Sequence, residues 1–215
     1  MIKVLFLLII VFLYCHSVNN IFKELKYILA ISIFIFLQII LSLLNFYSNL
    51  EFIQLKMILT LLVPTLIIIF HFQHNKNSFI KISYKNLTLI HFVRIPIEFI
   101  LYHNYKEKLI PKIMTFEGLN FDLFFALTTL LIYYLLNKNI IHKKILLAWN
   151  IFGLIFVLNI VIIAVLSTPT PIQKFGFNQP NLMIFNFPYI LLPSFIVPIV
   201  IYSHIISILK IKHKI

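Results

Sequence analysis

Long, almost unbroken apolar runs restrict this chain more than any other feature. Crossing a hydrocarbon core as a helix takes about 20 apolar residues, with a range of about 17–25. Stretches at approximately 27–46, 57–73, 86–103, 121–137, 145–167 and 183–209 meet or approach that length, after a shorter run at 2–15. Only 11% of the 215 residues are charged and 61% are apolar, whereas a soluble domain is about a quarter charged. A water-soluble globule and a disordered chain are both excluded. The expected fold is all-α: a polytopic transmembrane bundle of seven, or six, spanning helices forming one domain over residues 1–215.

The first run is ambiguous by length. Lys3 supplies a basic n-region as in a signal peptide, but Cys15-His16-Ser17 follows instead of a small-x-small cleavage site. A retained short span is the expectation. Tyr14 before Cys15 is unlike a lipidation box, and one cysteine leaves no internal disulfide.

Eighteen Lys and Arg against six Asp and Glu give a net charge of +12. Because the basic residues punctuate apolar runs, they read as contacts to anionic headgroups on the cytoplasmic side, not as a nucleic-acid surface. With seven spans, Lys3, Lys56, Lys106, Lys108, Lys112 and Lys174 fall on one side. The other side holds eleven: Lys23, Lys26, Lys76, Lys81, Lys85, Lys138, Lys143, Lys144, Lys210, Lys212 and Lys214. Eleven against six places the N-terminus outside and the C-terminus in the cytoplasm. Trp149, Tyr47, Tyr84 and Tyr105 fall near span ends, where amphipathic rings prefer to sit.

Polar residues inside apolar runs carry the functional information. In the fourth run, spacings of three and four place His91, Arg94, Glu98 and Tyr102 on one helical stripe. Arg94 is the only arginine and falls near mid-membrane, where it costs about 2.5–3.5 kcal/mol even on a lenient insertion scale. Glu98, four residues on, is its expected partner. Pro96 removes a backbone donor, so the helix is expected to bend beside the pair. In the next connection Glu117 is a candidate acid, and Asn120 or Asp122 is expected to cap the fifth helix, with Asp122 the first choice. The proline-rich stretch from Ser167 to Asn181 reads as an ordered turn cluster that brings Gln179 and Asn181 to the same face. Asn159 needs a partner at mid-membrane. Pro188, Pro193 and Pro198 break the last run and free the carbonyls of Ile184, Tyr189 and Ser194.

The leading expectation is a polar site opening outward, with Arg94, Glu98, Glu117, Asn120, Asp122, Gln179 and Asn181 taking a small polar or ionic ligand or a lipid headgroup. The rival is a non-catalytic scaffold or subunit in which Arg94–Glu98 is a structural ion pair. A lipid-modifying enzyme using Glu98 or Glu117 as general acid or base is a third reading. Nucleotide-loop, zinc-helix and nucleophile-elbow motifs are lacking. His71 and His74 have no acidic or thiol neighbour in sequence, and His142, His204 and His213 are scattered. No catalytic residue, cofactor or metal is therefore assigned, and no repeat supports an inverted-repeat transporter.

The stretches Arg94–Glu98, Met114–Asp122, Trp149-Asn150, Ser167–Pro171 and Gln179–Asn181 resemble a group of small multi-pass membrane proteins of Bacteroidetes-type bacteria. The resemblance covers roughly residues 90 to 208. It implies a bacterial inner-membrane location and carries no assigned activity, substrate or site residue.

Overall fold

The computed structural model describes residues 1–47, 51–75, 79 and 81–212. Lys76, His213 and Lys214, used in the charge and histidine readings above, lie outside the described residues. The described residues contain helices and turns but no strand. We number the helices α1 (Ile2–Asn20), α2 (Leu25–Leu43), α3 (Ile53–His74), α4 (Tyr84–Leu89), α5 (Arg94–Lys106), α6 (Asp122–Asn137), α7 (Lys143–Leu166) and α8 (Val197–Lys212). α4 and α5 form one rod joined by a 3-10 turn, Ile90–Val93.

α1, α2, α3, α7 and the stretch Leu192–Lys212 are each long and apolar enough to cross a membrane. Their outward faces expose large apolar side chains such as Ile33, Phe36, Ile69 and Phe152, as expected of a protein embedded in lipid. The first helix is longer than expected from the short run at 2–15, because His16 to Asn20 continue it. His16 and Asn20 find partners there: His16 Nε2 bonds the carbonyl of Asn86 at 2.8 Å, and Asn20 Nδ2 donates to the carbonyl of His16 at 2.9 Å.

Local chemistry sets several helix ends. Ser83 caps α4 by accepting from Asn86 N at 3.0 Å, and His142 Nδ1 caps α7 by accepting from Lys144 N at 3.3 Å. The expected disturbance at Pro96 falls one turn earlier, as the 3-10 turn Ile90–Val93. Proline cannot donate to the carbonyl of Phe92, and the preceding turn tightens to take up the freed groups.

The run at 183–209 is not one helix. Met183–Phe185 is a single 3-10 turn, and regular α-helix begins only at Val197, after a π-turn over Leu192–Ile196. Pro188 and Pro193 each remove a ladder donor, and Ser194 donates its hydroxyl to the carbonyl of Ile190 at 2.8 Å. α8 is the axis of the bundle: the apolar stretch Leu192–Lys212 that contains it is far more buried than α3. Its flank contacts include α3, α4 and α7.

Candidate functional site

The polar stripe of α5 is met by the connection between α5 and α6, residues 107–121, which we call the strap. The α4–α5 rod is about 34 Å long, and Arg94 lies about 18 Å below Lys106 along it. The strap leaves the rod at Lys106 and returns down its side, and its rungs are spaced one turn apart on α5. Tyr102 donates its hydroxyl to Glu117 Oε1 at 2.8 Å. Asn120 Nδ2 donates to Glu98 Oε2 at 2.7 Å. Arg94 Nε donates to Asp122 Oδ2 at 2.8 Å, and its Nη2 bonds Asp122 Oδ1 in a bidentate pair.

Five residues of strap thus descend beside eight residues of helix, about 12 Å, which an extended chain covers easily. Gly118 makes the descent possible. A Cβ there would run into the backbone of Lys112 and Ile113. α6 begins at the depth of Arg94, so its 16 residues make only about 24 Å of helix. Irregular backbone at such depth persists only when protein covers and satisfies it. Asn120 does much of this: it also donates to the carbonyl of Met114 at 3.0 Å, and its Oδ1 accepts from Asp122 N at 3.0 Å.

Two expectations are thereby corrected. The carboxylate paired with Arg94 is Asp122, not Glu98. An i, i+4 neighbour shares the helix face, but the bidentate fork of a guanidinium is filled best by a carboxylate arriving head-on from another segment. Asp122 accordingly does not cap α6; Asn120 accepts its amide instead.

Below the last rung the network reaches α7 and α8. Arg94 Nη1 lies 3.2 Å from His204 Nε2, and His204 Nδ1 lies 3.0 Å from Asn150 Oδ1. Because Asn150 Nδ2 donates to Leu146 O at 2.8 Å, its Oδ1 is the acceptor, which puts the His204 proton on Nδ1 and leaves Nε2 to accept from Arg94. His91 stacks on His204 with centroids 3.9 Å apart, and its Nε2 lies 3.1 Å from Ser203 Oγ. That hydroxyl donates to Val200 O at 2.8 Å. The His91 proton is therefore on Nε2, and its buried Nδ1 has no partner among the described residues.

Aromatic rings close the site. The Arg94 guanidinium sits 4.8 Å from the Phe125 ring centroid, and Trp149 stacks on Phe125 at 5.0 Å. Trp149 donates to Thr128 Oγ1 at 2.8 Å; it is an interior residue and not an interfacial anchor as its sequence position suggests. A Cβ at Gly153 would strike His204 and Phe125, so glycine lets α7 approach both rings. Arg94 is 3% exposed and Glu98 2%.

The other sequence candidates divide. Asn120 and Asp122 join the buried network. Glu117 is exposed at its upper end, where the Tyr102 hydroxyl first, and Lys112 second, hold its carboxyl below the usual range. Gln179 and Asn181 stand apart, pinning the turn cluster: Gln179 Nε2 donates to the carbonyls of Tyr105 and Ile110, and Asn181 Nδ2 to Ala164 O at 3.2 Å. Asn159 finds its partner in the strap, donating to Leu119 O at 2.9 Å. His91 stood on the stripe in sequence, but Asn150 and His204 were missed. The available signal was a lone amide and a lone imidazole inside otherwise apolar helices, beside Gly153 and Ser203.

Among the described residues, no group of three or more His, Cys, Asp or Glu is placed to hold a metal ion. An apolar cavity of about 80 Å³ lies between α3 and α7. Neither Arg94 nor Glu98 lines it. No family model, curated protein or solved structure matches the chain.

Proposed function

We propose that this chain is a multi-span integral protein of a bacterial inner membrane that acts as a non-catalytic scaffold or subunit, its buried ions serving as a structural lock. The location follows the resemblance to small multi-pass proteins of Bacteroidetes-type bacteria. The seven-segment arrangement, with the N-terminus outside, is supported by the helices long enough to cross and by the excess of lysines at the lower end. On that arrangement the strap is a re-entrant periplasmic segment.

The observation that carries the lock reading is the sealing of the charges. Guanidinium and carboxylates are 2–4% exposed at Arg94, Glu98 and Asp122, and the hydrogen bonds that hold them come from the strap, the start of α6 and α8. A ligand site needs a route for its ligand, and general acid–base chemistry needs its carboxyl within reach of a substrate. Glu117, the accessible acid, is at the surface.

Cysteine accessibility tests this. In a Cys15→Ser background, Glu117→Cys should react with a membrane-impermeant maleimide added from the periplasmic side, while Asn120→Cys and Glu98→Cys should not. Labelling at position 98 or 120 in folded protein would replace the lock by a solvated site. If those variants do not fold, the double variant Arg94→Met/Asp122→Leu supplies the answer. A lock tolerates replacement of both partners by apolar groups far better than loss of one. A double variant no more stable than the worse single would overturn the reading.

A further inference from the structure

α7 turns a stripe of side chains outward beside the strap. Phe152, Ile155, Asn159 and Ile162 recur at spacings of three and four, so they share one side of the helix. The three apolar members are more than half exposed. Asn159, in their midst, is only part-buried, and its bond from Nδ2 to Leu119 O lies at the surface. Sixteen residues separate it from Lys143 and seven from Leu166, which is about 24 Å of helix below it and about 10 Å above. The amide therefore stands inside the upper half of a hydrocarbon core about 30 Å thick.

A polar group at that depth needs partners for all its hydrogen-bonding capacity. The amide nitrogen carries two hydrogens, and Leu119 O takes one. The second hydrogen and Oδ1 have no partner among the described residues. The strap next to it is also incompletely enclosed. Its inner side is bound by Tyr102, Glu98 and Asn159, but Leu119 and Phe121 point outward and are about half exposed. Irregular backbone in hydrocarbon persists where protein surrounds it, and this chain surrounds the strap on one side only.

We infer that the stripe is the contact between two copies of this chain, related by a two-fold axis along the membrane normal, with their Asn159 amides paired across it. The amide itself selects a second copy over an unrelated helix. One free donor and one free acceptor on the same group are self-complementary: each Asn159 gives its second hydrogen to the Oδ1 of the other, and both are then satisfied. Copies inserted in one orientation bring the two amides to the same depth, as an isologous contact requires. Ile162 packs above the pair and Ile155 and Phe152 below it, while the second copy covers Leu119 and Phe121. The inference deepens the subunit reading and rests on the membrane location proposed above; the buried lock does not enter it.

The full chain with Cys15→Ser in phosphatidylethanolamine/phosphatidylglycerol vesicles provides the test. Copies carrying donor or acceptor dyes at Ile140→Cys, in the exposed α6–α7 connection, should show energy transfer above that of randomly placed chains at the same density. Asn159→Leu should raise the dissociation constant about tenfold, equivalent to about 1.4 kcal/mol for the two interhelical bonds. Ile155→Trp should abolish the transfer without lowering the unfolding temperature, and it decides the matter if the Asn159 variant does not fold. Single cysteines at Ile155 or Ile162, oxidised with copper-phenanthroline, should link two chains about tenfold faster than Phe36→Cys on α2. Random-level transfer in vesicles from which alkali does not extract the chain overturns the dimer and leaves the membrane location standing; extraction by alkali sinks the location. Equal linking at Ile155 and Phe36 overturns the stripe as the contact, and an unchanged dissociation constant in Asn159→Leu overturns the amide pairing. Maleimide labelling of Glu98→Cys would remove the lock and leave each of these outcomes as it is.

Discussion

The two halves of the bundle are held by different physics. On one side, α5, α6, α7 and α8 surround a ladder of buried ions and amides, with Gly118 and Gly153 allowing close approach. On the other, α1, α2 and α3 meet the rest through Ile, Leu and Phe, relieved by isolated bonds such as His16 Nε2 with Asn86 O at 2.8 Å and His71 Nδ1 with the Tyr202 hydroxyl at 2.7 Å. In lipid, apolar side chains gain little by leaving one hydrocarbon for another, so association rests on shape and on polar contacts. The ladder side is therefore the specified side, where register and depth are fixed. The apolar side is free to adapt, and there the cleft between α3 and α7 is found.

The largest expected effect comes from removing one partner of the ion pair. Arg94→Met or Asp122→Leu leaves a buried charge unpaired and should cost about 3–5 kcal/mol, read as a fall in detergent unfolding temperature, with most of it recovered in the double variant. Gly153→Ala should cost about 1–3 kcal/mol by pushing on His204 and Phe125; an unchanged melting temperature would show that α7 is less tightly docked than the ladder implies. Asn159→Leu removes one bond to the strap and should cost about 0.6 kcal/mol. Phe36→Leu on the lipid face of α2 should lie within about 0.5 kcal/mol of the unmodified protein, and a larger loss would make that face a protein contact.

The smallest expected change is electrostatic and sits at the top of the ladder. With its folded-state pKa depressed, Glu117 contributes stability above its unfolded value and loses it as pH falls through the folded one. Tyr102→Phe removes the first cause, so the Glu117 carboxyl should titrate at higher pH, as followed by its infrared band. An unmoved titration would mean that Lys112 and Lys106 set it without the Tyr102 hydroxyl.

Much of the ladder could be read before any coordinates. The i, i+3 and i+4 rule put His91, Arg94, Glu98 and Tyr102 on one face, and the cost of a charge in hydrocarbon required partners for them. The same rule pointed to Glu98 as the partner because it sees only neighbours along one helix. Asp122 is 28 residues away, and nothing local says that a connection will fold back down its own helix. His204 and Asn150 were illegible for the same reason: a single polar residue in an apolar helix shows that a partner exists, not where it is.

The sequence by itself determined an all-helical, lipid-facing chain, because apolar run length and backbone satisfaction in hydrocarbon leave almost no other choice. It also determined that the run at 183–209 would be broken, since prolines remove donors wherever they stand. Only the tertiary structure decided that the strap descends to mid-helix, that Asp122 and not Glu98 takes the guanidinium, and that the site is closed. Those outcomes depend on which surfaces meet in space, and the energy of a buried charge is set by the groups that surround it, whatever their order along the chain.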